Sequence, residues 1–152
     1  MASVEFSSQE QENIDFIKSK SIPFVTVRLS GNALRHSLFD ATVPIRVFLK
    51  ENSIHDFDAQ GWGEENKVCV KSHILNFISD VESQTTFNRA ATRGDKRMWF
   101  GSAILKNVAE DEMLAIMAKN QELFIVNISR QNLYKCFLSS MGNPIKTFLR
   151  SY

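Results

Sequence analysis

Arg93, Asp95 and Arg97 stand at alternate positions of the segment TRGDKRMWFG, residues 92–101, and Lys96 lies between the last two. On an extended arm the three alternating side chains share one side and Lys96 takes the other. An arginine fork donates two parallel hydrogen bonds to O6 and N7 of guanine, and a carboxylate accepts from the N4 amino group of cytosine. Cations alone would grip any polyanion through its phosphates. An acid among them repels phosphate, so it weakens such a grip unless it meets a donor. The spacing therefore predicts base reading at G·C pairs by Arg93, Asp95 and Arg97, with Lys96 left for phosphate. Met98, Trp99 and Phe100 are expected to anchor this arm to the core, and Gly94 to permit its bend.

Other residues suggest other chemistry. Glu65-Asn66-Lys67 has the E-x-K spacing of metal-dependent nucleases, with Asp56 and Asp58 upstream. In such sites the carboxylate holds a divalent cation and the lysine orients the attacking water. The preceding DFDAQGWG reads as loop, whereas nucleases place these groups on paired strands, so no catalytic role is assigned. His73 falls in a strand pattern and is expected to be a satisfied structural histidine. His36 sits beside Arg35 in a polar segment, where a phosphate or base-edge contact and a plain exposed histidine both stay open. No G-x-S-x-G, CxxC or HxxxH pattern occurs, and GWG at Gly61–Gly63 is too short for a phosphate cradle; neither metal nor cofactor is expected. Trp62 is expected to cover the core. Cys69 and Cys136 read as small buried hydrophobes of a reducing compartment.

The elements that must position these groups follow from composition and period. The chain has 152 residues, enough for one domain, with 43% hydrophobic residues, and its twelve Phe against two Tyr favour a β-rich core. The net charge of +1 hides an uneven distribution: residues 84–106 carry +4, residues 28–50 carry +3, and residues 123–152 hold four cations and no acid. One basic face is thus compatible with near-neutrality. Arg89, Lys106, and Arg28 or Arg46, are further candidates for phosphate contacts. The N-terminal MASVEFSSQEQ is polar and acidic, and no apolar run approaches about 18 residues, so a cytoplasmic setting and no membrane contact are expected.

Ser7 and Glu10 form a capping-box pattern that opens a helix through about Lys20, part of an N-terminal lead-in over residues 1–22. Phe24–Leu29, Val43–Leu49 and Lys67–Leu75 read as strands, TTFNRA and KRMWFG as two more, and Glu112–Ala118 with Glu122–Ile128 as a hairpin around KNQ. SGNALRHS reads as a turn-prone segment, and residues 50–66 as an irregular connection holding one helical turn. A closing helix is expected from Ser129 as N-cap, with Leu133, Cys136, Phe137 and Met141 on its apolar stripe and Gly142 and Pro144 as its stop. The whole suits a mainly β barrel or sandwich with helices at its ends.

TRGDKR is similar to the T-R-x-[ED]-K-R segment of the DNA-recognition (effector) domain of type IIE restriction endonucleases of the EcoRII kind. VCVKSHIL, the FN before the basic segment, the VNI strand, the helix that follows it and the early RLSGN also resemble that family, over about Phe24 to Pro144. The resemblance implies a B3-like, seven-stranded open pseudobarrel in which two arms clamp the major groove of duplex DNA. It assigns Arg93, Asp95, Lys96 and Arg97 to the second arm and Ser30 to His36 to the first. In the first arm Arg35 and His36 are the expected base contacts, and Ser30 and Asn32 the backbone contacts. It also implies a CCWGG-type target; a monomer is expected for the isolated domain, since one asymmetric monomer can read a pseudopalindromic site. The segment between FN and TRGDKR is shorter here, and the first arm does not align residue by residue. The family's long enzymes carry a separate nuclease domain, so the chain is expected to be the non-catalytic reader of such a prokaryotic enzyme, or a stand-alone reader. A protein-interaction domain docking an acidic partner, and a small nuclease using Glu65 and Lys67, are the alternatives.

Overall fold

The computed structural model describes residues 5–139 and 143–152. In chain order the elements are α1 (Ser8–Ser19), β1 (Phe24–Arg28), α2 (Gly31–His36), β2 (Phe39–Asp40), α3 (Val43–Glu51), β3 (Val68–Leu75), β4 (Asp80–Arg89), β5 (Lys96–Trp99), β6 (Met113–Lys119), β7 (Glu122–Asn127), α4 (Leu133–Leu138) and α5 (Pro144–Arg150). The seven strands make one mixed sheet, ordered β1-β6-β7-β3-β4-β5-β2, that curls into a half-barrel with flanking helices. Among the described residues its only parallel pairing is β3 with β7.

The mainly β pseudobarrel expected from the sequence is what the chain forms. Strand β6 shows why the sheet sits at its centre. Leu114, Ile116 and Ala118 enter the core inside the half-barrel with Phe87, Met98 and Phe100, while Met113, Ala115 and Met117 enter a second core beneath α1, α4 and α5. Period-two alternation thus feeds two cores from one strand. The β6–β7 loop closes through Asn120 and Gln121, both at positive φ, as a type I′ hairpin requires.

Helix α1 starts at the expected capping box: the Ser7 hydroxyl accepts from the Glu10 N–H, and Glu10 Oε1 accepts from the Ser7 N–H. The buried Glu10 carboxylate also meets Arg28 at 2.5 Å and the Ser129 hydroxyl, which ties α1 to β1 and to the end of β7. The Arg28 hydrogen bond, opposed by burial and helped by Ser129, pulls its pKa from 4.5 to about 2. Arg28 is thereby committed to the fold.

Several local expectations give way to tertiary context. VPIRVFL is helix α3, not a strand. Pro44 occupies its first turn after Thr42, and Ile45, Phe48 and Leu49 form an i, i+3, i+4 stripe in the half-barrel core. SGNALRH is helix α2, whose Ser30 hydroxyl caps Ala33 N–H at 3.1 Å and whose end turns through Ser37 in the left-handed region. Asn132, not Ser129, caps α4, and Pro144 opens the separate helix α5. Met141 and Gly142 lie outside the described residues. Cys69 is exposed rather than buried, because the outer half of β3 alternates and places it outward; Cys136 is half-buried, and burial pushes its thiol up to about 11. Among the described residues no helix is long and apolar enough to cross a membrane.

Candidate functional site

The two segments marked by the sequence meet along β2. Phe39 pairs with Met98, Asp40 pairs with Arg97, and Ala41 N–H donates to Lys96 O at 2.9 Å. This short ladder lays residues 30–41 against the β4–β5 hairpin.

The hairpin tip is a tight turn, not an extended arm, because the β4–β5 ladder continues to Arg89 and Lys96 and leaves only residues 90–95 to cross over. Ala90 N–H donates to Asp95 O, and Gly94 N–H donates to Ala90 O at 2.7 Å. Gly94 has φ +70, and a Cβ there would lie 2.3 Å from the Trp62 ring. Gly94 therefore serves both the bend and a close approach. Trp62 is 49% exposed; it covers this turn and faces the Arg89 guanidinium at 5.7 Å, so the expectation that it covers the core is corrected. The anchors are as expected: Met98, Trp99 and Phe100 are all buried.

Alternation survives at Asp95 and Arg97. Arg97 Nη2 donates to Asp95 Oδ2 at 3.0 Å, and its Nε faces Asp40 Oδ1 at 3.4 Å. Lys96 takes the other side and pairs with Asp58 at 2.8 Å; that hydrogen bond, and the charge behind it, hold the Asp58 carboxyl below the usual range. Arg89 donates to Gly94 O and Phe57 O, so its guanidinium braces the arm from behind. Arg46 donates to Ala41 O at 2.6 Å. Arg93 sits in the turn rather than on an extended segment, so strand alternation does not govern it. It is exposed and makes no side-chain hydrogen bond or ion pair among the described residues.

In the first arm, Arg35 and His36 occupy the last turn of α2, exposed and likewise without such partners among the described residues. Ser30 and Asn32 are exposed at its start. Two neighbouring clefts share Asp40. One, of about 360 Å³, is lined by Ser30, Asn32, His36, Phe39, Asp40 and Arg97 among others. The second, of about 450 Å³, is lined by Asp40, Arg46, Arg89, Arg93, Asp95 and Lys96 among others. Three of the residues marked for the second arm and Arg89 thus share one cleft, while Arg97 faces the first arm. Arg35 lies beside the first cleft, outside its lining. Lys106, exposed in a 3-10 turn after β5, lines neither cleft.

Sequence reasoning missed Asp40, Asp58 and the bracing role of Trp62. Alternation put Asp95 and Arg97 on one side, but no local pattern links residues 40, 58 and 62 to residues 94–97. Glu65 lies exposed in a 3-10 turn, and Lys67 pairs with Glu64 at 3.4 Å. Among the described residues no three His, Cys, Asp or Glu side chains converge as metal ligands would. His73 is the satisfied structural histidine expected: it contacts Asp80 at 2.9 Å and Glu122 at 3.0 Å and stacks on Phe124. His55 stacks on Phe87 and contacts Gln60 at 2.8 Å; burial lowers its pKa despite that bond. Comparison with protein-family models, with curated proteins and with solved structures gives no match.

Proposed function

We propose that the protein is a sequence-specific reader of double-stranded DNA that does not itself cut. In this reading it grips the major groove between α2 and the β4–β5 turn, as the recognition domain of a restriction endonuclease similar to those of the EcoRII kind, with a B3-like fold and a CCWGG-type target. The observation that carries the reading is the meeting of two basic segments, distant in sequence, at a single seam where free cations flank an arginine–carboxylate pair. Arg35, His36 and Arg93 have donors to offer a ligand, Arg97 and Asp95 supply the guanine and cytosine partners, and Lys96 with Ser30 and Asn32 supplies phosphate contacts. Arg89 acts mainly by holding the turn, and Lys106 contributes at longer range.

A mobility-shift comparison of CCWGG duplex, scrambled duplex and single strands tests this. Preferential binding of the CCWGG duplex is expected. Equal binding of all three contradicts sequence reading, and cleavage on addition of magnesium contradicts a non-catalytic role.

A further inference from the structure

We infer that Asp40 is a positioning residue for base reading: from the first arm it sets the plane of the Arg97 guanidinium and so couples the two arms. The inference rests on the DNA-reading proposal above. A guanidinium held at one nitrogen can still swing about that contact. Asp95, two residues before Arg97 and just ahead of β5, engages only Nη2, at 3.0 Å. Asp40 comes from the facing strand, directly opposite Arg97, and approaches Nε at 3.4 Å. Together they put both carboxylates on the Nε–Nη2 side, Asp95 through a hydrogen bond and Asp40 through an ion pair without one. The donors that face away from both carboxylates lie on Nη1 and the outer half of Nη2, which is the end-on pair that matches guanine O6 and N7.

Position supports this role. Asp40 lines both clefts, and its side chain is 81% exposed, so it carries no part of the core. Its charge acts in the same direction. Two carboxylates around one guanidinium leave the group net negative, which penalises a phosphate that approaches Arg97 without a base edge. Loss of Asp40 should therefore raise affinity for wrong sequences while loosening the grip on the right one.

The test measures binding of wild type, Asp40→Ala, Asp40→Asn, Arg97→Ala and the Asp40→Ala/Arg97→Ala double variant. Each is titrated against a CCWGG duplex and a scrambled duplex by fluorescence anisotropy, with circular dichroism to check the fold. Asp40→Ala is expected to lower the preference for CCWGG about tenfold, the scale of one misaligned bidentate contact, with scrambled binding tightened. Asp40→Asn, which keeps an acceptor, should retain more of the preference than Asp40→Ala. In the Arg97→Ala background, removal of Asp40 should leave the preference unchanged. An unchanged preference in Asp40→Ala, an Asp40→Asn protein no better than Asp40→Ala, or an equal loss without Arg97 overturns the inference alone. A wild-type protein that binds both duplexes equally overturns the DNA reading and this inference with it.

Discussion

Gly94→Ala should cost about 2 kcal/mol, and the cost should fall on the arm rather than the core. The backbone at Gly94 has φ +70, where a side chain is strained by roughly 1 kcal/mol. The new Cβ would meet Trp62 Cε2 at 2.3 Å, so the ring must retreat by about 1 Å to reach ordinary contact. Trp62 is 49% exposed and has room to move, but retreat takes it from Arg89, a cation–π contact of roughly 0.5–1 kcal/mol at an exposed site. Met98 and Phe100, both 0% exposed, keep their places beneath. The assay is urea unfolding of wild type, Gly94→Ala, Trp62→Ala and the double variant. Because the colliding ring is gone in Trp62→Ala, the double variant should lose about 1 kcal/mol less than the sum of the singles. Costs that add to within about 0.3 kcal/mol would refute the packing of Trp62 on the turn.

Three further outcomes follow from the charge network. Glu10 has a folded pKa of about 2 against 4.5, lowered chiefly by Arg28, so its pairing contributes roughly 3 kcal/mol that is fully present above pH 4.5 and lost as pH falls towards 2; Glu10→Gln should remove that amount at pH 7 and flatten acid unfolding over this window, followed by circular dichroism. Burial pulls the His73 pKa down, but its hydrogen bonds to Glu122 and Asp80 outweigh this and raise it above 6.5, so its contribution is full below pH 6.5 and lost as pH rises through the folded value; proton NMR should show the late titration, and Glu122→Gln should bring it back towards 6.5. Lys96→Ala should weaken binding to CCWGG and scrambled duplexes alike and lower the salt slope by about 1, measured by anisotropy across salt concentrations, whereas Asp58→Ala, which frees Lys96, should strengthen both.

Where a signal was local, the sequence carried it. Ser7 with Glu10 placed the start of α1, the alternation of β6 and β7 placed their hairpin, and Met98-Trp99-Phe100 placed the foot of the second arm. Val43, Ile45, Val47 and Phe48 favour strands and mask helix α3, although Thr42, Pro44 and the Ile45–Phe48–Leu49 stripe suit a helix; burial of that stripe decides it. Strand β2 has two residues and exists only because β5 offers it partners, so no window of sequence could reveal it. Asp40 became part of the candidate site through that ladder. Trp62 and Asp58 joined it through the connection between α3 and β3, whose path is set by its contacts with Arg89, Gly94 and Lys96.

Base reading by an acid among cations is the heart of the proposed function. Its most direct measurement is the affinity of wild type and Asp95→Ala for a CCWGG duplex and a scrambled duplex at one fixed salt concentration. Wild type is expected to prefer CCWGG, and Asp95→Ala to lose about 1–3 kcal/mol of that preference while its affinity for scrambled DNA survives. A wild-type protein without preference, or an Asp95→Ala protein whose preference is intact, would contradict it.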